Sequence, residues 1–242
     1  TADGAITAGD RLIVNTDGTV KKVQIAATEL TTYTDGTGTS SYTGTYTGSW
    51  VYDSSSNTIV SVFVRMYYLQ ASNWEFGTGG DNDINYVHMA TVDTSAEPEY
   101  HALAFSPDLG KSLAIWGNRG GSGDLQAAWI TSTGPSGSVS VSGSTTFVQE
   151  KHDQPTLCYD TAANKFILVT TYQTNNSNPS LGEARCRVIN ISGSSPSVDA
   201  TTSVSGATSG GGIVNKLVYD NTNNRVYLLR GKGAGTATGG LK

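Results

Sequence analysis

Cysteine, charge and long apolar runs are all scarce in this chain, and each scarcity closes off a class of function. Two cysteines in 242 residues, Cys158 and Cys186, cannot build the disulfide framework of a small secreted scaffold, and no C-x-x-C pair offers a metal or redox couple. If the strands that carry them meander with one strand between, they lie roughly 9 to 10 Å apart, too far to bridge; two free thiols are expected. The longest apolar stretch of interest, Ile59 to Val64, contains Ser61 and stops at Arg65. No membrane insertion is expected. Charged residues make up 14% of the chain, against a usual figure of roughly 25%. The net charge of −5, with scattered Lys and Arg, offers no basic face to a phosphate backbone, so nucleic acid is not an expected partner.

Catalytic and metal motifs are missing too. His88, His101 and His152 stand singly, without H-x-x-x-H or H-E-x-x-H spacing. There is no G-x-S-x-G elbow, no G-x-G-x-x-G and no P-loop. Asp81-Asn82-Asp83-Ile84-Asn85 begins like a calcium loop, but Tyr86 replaces the glycine at position six and Val92 the acid at position twelve. The seven arginines hold no corresponding places in successive units, so no convergent triad for a sugar carboxylate is seen. The expectation is that the chain has no catalytic residue, no metal, no cofactor and no enzymatic activity.

What is abundant is turn chemistry. Glycine occurs 29 times, and Ser, Thr and Asn fill most polar positions, as in an all-β, turn-rich extracellular or virion protein. A pattern recurs four times: WVYDSSSNTIVSVFV from Trp50, LAFSPDLGKSLAIWG from Leu103, LCYDTAANKFILVTT from Leu157 and LVYDNTNNRVYLLRG from Leu217. Counted on Asp53, Asp108, Asp160 and Asp220, the steps are 55, 52 and 60 residues, the period of a propeller or array. These four aspartates are assigned as structural turn residues. Asp accepts hydrogen bonds from backbone N–H groups two or three residues on, and the Asn four residues after it tolerates the left-handed conformation that closes the loop; Gly110 serves that end in the second unit.

Nearly continuous apolar second strands, at Ile59 to Val64, Leu113 to Trp116, Phe166 to Val169 and Val226 to Leu229, predict burial on both faces, with Ile167 and Leu228 in the core. Third strands are expected at Tyr86 to Val92, Leu125 to Thr131 and Ala184 to Ile191. Polar, alternating outer strands follow at Ser138 to Val148 and Ser197 to Val204. The fold class is therefore all-β, with β-propeller-like blades of about 50–60 residues; tandem β-sandwiches are the alternative. Residues 1–30 form an N-terminal β-hairpin segment around Asp17-Gly18, 31–49 a Thr/Gly-rich connection, and 50–242 the propeller-like repeat domain. The opening at Thr1, without Met or leader, and the Gly-rich end suggest a piece of a longer polypeptide, with the repeat continuing beyond Lys242.

Two resemblances attach to particular residues. Ser106-Pro107-Asp108-Leu109-Gly110-Lys111-Ser112 resembles the Asp-box turn of sialidases and other propellers, where it stabilises the turn away from the catalytic centre. GAITAGDRLIVNTDGTVKKV, from Gly4, is similar to segments of tail-fibre and other virion proteins of marine tailed phages, and Tyr159-Asp160 to Asn164-Lys165 is similar to their propeller-like repeats. That resemblance implies a virion structural protein, part of a tail fibre or appendage. It would be a homo-oligomer bound to other virion subunits, and to a host-surface glycan or protein. The alternative is a secreted, extracellular bacterial carbohydrate-binding or adhesion module. Candidate contact residues lie where long loops are expected: Trp74 and Phe76 before Gly77-Thr78-Gly79-Gly80, then Asn118, Arg119 and Tyr172 in later units. Aromatic side chains on such loops supply contact area for sugars or proteins.

Overall fold

Each repeated unit turns on one short device. A computed structural model describes residues 2–3, 12–14, 19–22, 48–65, 68–76, 84–94, 98–118, 124–149, 152–173, 181–192, 194–209 and 214–231. Asp53 Oδ1 accepts from the backbone N–H of Ser55 at 2.9 Å and Ser56 at 3.1 Å, and Asp160 does the same for Ala162 and Ala163, both at 3.0 Å. Asp220 repeats the arrangement with Thr222 and Asn223. Four residues later the backbone enters the left-handed region at Asn57, Asn164 and Asn224, with φ of 55°, 54° and 51°, and at Gly110 with φ of 59°. The expected turn chemistry is thus present, with one correction. The residue in register with the other aspartates is Ser106, which pairs with Lys111 as Asp53 pairs with Thr58, and whose Oγ accepts from Leu109 N at 3.2 Å. Asp108 lies two residues further on, inside the turn, and is released for another role.

The chain divides into two compact units, Thr1–Thr43 and Gly44–Lys242. In the first, β1 (Ala2–Asp3), β2 (Leu12–Val14) and β3 (Val20–Lys22) form a sheet in the order β1-β3-β2, and β2 pairs antiparallel with β3. The Asp17-Gly18 turn and most of the Thr/Gly-rich connection lie outside the described residues.

Within each sheet of the second unit the strands pair in sequence order. β4 (Ser49–Asp53), β5 (Thr58–Arg65), β6 (Tyr68–Phe76) and β7 (Ile84–Asp93) form the first four-stranded antiparallel sheet. The second holds β8 (Pro98–Ser106), β9 (Lys111–Asn118), β10 (Leu125–Ser132) and β11 (Val139–Val148); the third holds β12 (His152–Asp160), β13 (Lys165–Gln173), β14 (Leu181–Asn190) and β15 (Ser197–Ser209). A two-stranded sheet of β16 (Val214–Asp220) and β17 (Arg225–Gly231) follows. No helix occurs among the described residues, and no helix there is long and apolar enough to cross a membrane.

The stacking of these sheets rules out tandem sandwiches. In a strand, side chains alternate between faces, and on β9 and β10 both faces are core. Ala114, Trp116, Ala128 and Ile130 pack with Val60, Val62 and Leu69 of the first sheet, whereas Leu113, Ile115, Ala127 and Trp129 pack with Phe166 and Leu168 of the third. The second sheet is therefore covered on both faces, and leading strand packs on leading strand: β4 on β8, β8 on β12, β12 on β16. This is the blade-to-blade packing of a propeller, and the fold is all-β and propeller-like. The row does not close: Trp50, Tyr52 and Tyr68 of the first sheet and Val218, Tyr227 and Leu229 of the fourth stay exposed.

Three strand-level expectations need correction. The third strand of the first unit is β6, not Tyr86 to Val92, which belongs to the fourth strand, β7. Ser72 and Asn73, both fully buried, hid β6 by putting polar residues on a buried strand. Ile167 and Leu228 are only half-buried; the fully buried positions of β13 are Phe166 and Leu168. The fourth sheet lacks a cover on one face, so burial on both faces fails there. Cys158 and Cys186 are free thiols: their strands flank β13, opposite Ile167 and Val169. Burial pushes the Cys158 thiol up to about 12, with the charge of Asp160 adding to it, and raises Cys186 as well, so neither is a reactive thiolate near neutrality.

Candidate binding faces

The residues expected on contact loops sit mostly on strands. Trp74 lies on β6, half-buried, its ring centroid 5.3 Å from that of Trp50 at an interplanar angle of 47° and its Nε1–H donating to Ser61 Oγ at 3.0 Å. Phe76 ends β6 and Asn118 ends β9; their side chains, and all of Arg119, lie outside the described residues. Tyr172 is on β13 with the Arg185 guanidinium carbon 3.7 Å from its ring centroid, an intramolecular cation–π contact. The structure therefore does not gather these residues into a rim of loops. Among the described residues no group of three or more His, Cys, Asp or Glu could hold a metal.

Two exposed apolar faces emerge instead, at the two ends of the row of sheets. On β4, Val51 points to the second sheet with the core, so its neighbours Trp50 and Tyr52 point the other way, at 54% and 50% exposure. Leu69 and Tyr68 divide between the same two faces, and Tyr68 is 43% exposed. On the fourth sheet, Leu217 pairs with Leu228 and Tyr219 with Val226 on the face toward the third sheet, where Leu217 N donates to Thr156 Oγ1 at 3.2 Å. Val218 opposite Tyr227, and Leu229 opposite Lys216, occupy the other face; Val218, Tyr227 and Leu229 are 52%, 47% and 46% exposed. Scattered exposed apolar residues need no explanation, but these six are confined to two sheet faces and form two apolar patches. Sequence reasoning missed both, because alternation on β4 and β16 looks the same whether or not a neighbouring sheet covers it.

The seams between sheets repeat one contact. Tyr159, just before the Asp160 turn, donates its hydroxyl back to Asp108 Oδ2 of the second sheet at 2.5 Å and also meets Asn164, five residues on. Tyr219, in the same place before Asp220, accepts from Ala162 N at 3.2 Å and Thr161 Oγ1 at 3.3 Å in the turn of the third sheet, and donates to Asn224 at 3.2 Å. Each tyrosine thus ties its own sheet to the turn of the preceding one. The second sheet has Phe105 at this position, and its seam with the first sheet runs instead through Ser49 Oγ with His101 Nδ1 at 3.0 Å and through a buried chain in which Thr58 Oγ1 and Asn73 Nδ2 meet Ser132 Oγ at 3.0 and 3.2 Å.

Burial, reinforced by the bond to Asp108, raises the Tyr159 phenol to about 12. The folded value lies above the ordinary one of about 10, so the neutral hydroxyl stabilises the fold fully below about pH 10, and that contribution is lost as pH rises through about 12. Thermal melting followed against pH should show this alkaline loss. It should be absent in Tyr159→Phe, whose stability at neutral pH should be lower by about 1 kcal/mol or more.

No family model matches the chain, and no curated protein matches it. Among solved structures, the K499G mutant of NanB sialidase from Streptococcus pneumoniae and a structure of NanB plus Optactamide are similar to it, each at 14% identity with a TM-score of 0.48 over 76% of this chain. This chain spans 27% of the length of those chains. A correction follows: the expectation of no enzymatic activity is withdrawn, because the similar solved structures are those of an enzyme. At this degree of likeness neither activity nor substrate passes from them to this chain.

Proposed function

We propose that the chain is a structural assembly module that binds other subunits through the end faces of its row of sheets. The similarity of its opening segment to tail-fibre proteins of marine tailed phages supports placing it in a virion appendage. The observation that carries the reading is the pair of exposed apolar patches, Trp50, Tyr52 and Tyr68 at one end and Val218, Tyr227 and Leu229 at the other. The covered faces between the sheets support the reading, since each internal face of the same pattern is buried against a neighbouring sheet. If the reading holds, the chain is present in its native particle in a fixed ratio to the other subunits, and Trp50→Glu or Tyr227→Glu removes it without unfolding it. Retention of both folded variants in the particle contradicts the reading.

A second reading has one specific observation in its favour. The exposed Trp50 ring, tilted against Trp74 beside Tyr52, is the kind of aromatic surface on which sugars stack, as in an extracellular carbohydrate-binding module. A glycan-binding assay separates the two: glycan binding lost in Trp50→Ala, with particle incorporation unaffected, favours the sugar.

A further inference from the structure

Of the four buried side-chain oxygens without a hydrogen-bond partner among the described residues, three face the seam between the first and second sheets. Asp53 is 1% exposed and lies two residues from Val51, on the face turned to the second sheet. Its Oδ1 accepts from Ser55 N, Ser55 Oγ and Ser56 N at 2.9, 2.6 and 3.1 Å, whereas its Oδ2 accepts nothing. The buried Asn73 donates from Nδ2 to Ser132 Oγ and to the Gly137 carbonyl of the second sheet, and its Oδ1 has no partner. Ser112 on β9 is buried two residues from Ala114, on the face toward the first sheet, with an unpartnered Oγ. Hydroxyls link these groups: Ser56 Oγ meets Thr58 Oγ1 at 2.7 Å, and Thr58 Oγ1 meets Ser132 Oγ at 3.0 Å.

The other units show what this one lacks. The residue paired with the turn position is Lys111 in the second sheet, Lys165 in the third and Arg225 in the fourth, but Thr58 in the first. Asp160 and Asp220 therefore have a positive charge across from them on the neighbouring strand. Asp53, the most buried of the three turn aspartates, has none. A carboxylate shut away from water with one oxygen unpaired and no countercharge is strongly disfavoured. We infer that this seam binds a hard, oxygen-seeking cation of the sodium or calcium kind, held by Asp53 Oδ2 with the neutral oxygens of Asn73, Ser112 and the hydroxyl chain. Carboxylate, amide and hydroxyl oxygens are the ligands such ions take, and these residues include no imidazole or thiolate for a softer metal. The ion would tie the first sheet to the second, the one seam where Phe105 replaces the tyrosine that joins the later sheets. The site lies inside the row of sheets, so it stands whatever partner the end faces bind.

Thermal melting of the protein, stripped with chelator and held at constant ionic strength with tetramethylammonium chloride, tests this in titrations with CaCl2 and with NaCl. A cation that binds only the folded chain raises the melting midpoint as its concentration rises. The wild-type midpoint should climb with one of the two salts between about 0.01 and about 100 mM, and the salt that acts names the ion. Asp53→Asn keeps an oxygen for the Ser55 and Ser56 amides but carries no charge, and it should need at least about tenfold more salt for the same shift. Asp160→Asn, the same change in a turn away from this seam, should respond as wild type does. Equilibrium dialysis with elemental analysis should find about one ion bound per wild-type chain, a reading that needs no variant to fold. A wild type that binds no ion, or whose midpoint ignores both salts, overturns the inference; ordered water then serves these oxygens. Equal responses in wild type and Asp53→Asn overturn it too, because the ion then sits elsewhere.

Discussion

Phe166→Ala should lower the unfolding free energy by about 3–5 kcal/mol, the cost of emptying a fully buried aromatic site. Phe166 has no exposed surface, and its ring lies 4.9 Å from that of Tyr159 and 6.0 Å from that of Trp129, between the second and third sheets. Leu228→Ala, on the face of the fourth sheet toward the third, should cost less, about 1–2 kcal/mol, since that side chain keeps part of its surface in water. Urea denaturation of the two variants reads the difference. Equal costs would mean that the seam between the third and fourth sheets is as enclosed as that between the second and third.

Asn73→Ala should cost on the order of 2–3 kcal/mol, large for a polar residue, because it leaves buried groups unpaired. Asn73 is fully buried and donates to Ser132 Oγ at 3.2 Å and to the Gly137 carbonyl at 3.1 Å, binding β6 to the turn between β10 and β11. Thr58 reaches the same Ser132 hydroxyl at 3.0 Å. The effects of Asn73→Ala and Ser132→Ala should therefore be strongly non-additive in a double-mutant cycle. Additive effects would mean that the two residues do not share a network.

Much of the fold is legible in the sequence because turn chemistry is local. An Asp that accepts from the next backbone amides and an Asn that sits at positive φ can be recognised from their spacing alone, and these set the hairpins of three units. The second unit shows the limit: with Asp moved to Asp108 and Ser106 in its place, residue identity misleads about register by two positions. Strand β6 was hidden for a different reason. Its buried Ser72 and Asn73 meet partners on other strands, Ser72 with Ser61 at 2.7 Å on the neighbouring strand and Asn73 Nδ2 donating to Ser132 at a separation of 59 residues, and no local pattern announces the second kind of partner. The end faces were illegible on similar grounds. Trp50 and Tyr52 alternate with Val51 as any strand does, and only the absence of a covering sheet turns them into a surface. Trp74 and Tyr172, which composition placed on loops, are held instead by Trp50 and by Arg185.

Electron cryomicroscopy of the assembled protein, with the chain traced through it, tests the central claim most directly. The account predicts the Trp50–Tyr52–Tyr68 patch and the Val218–Tyr227–Leu229 patch each buried against another subunit. Subunits joined through other surfaces, with Trp50 and Tyr227 left in solvent, would contradict it.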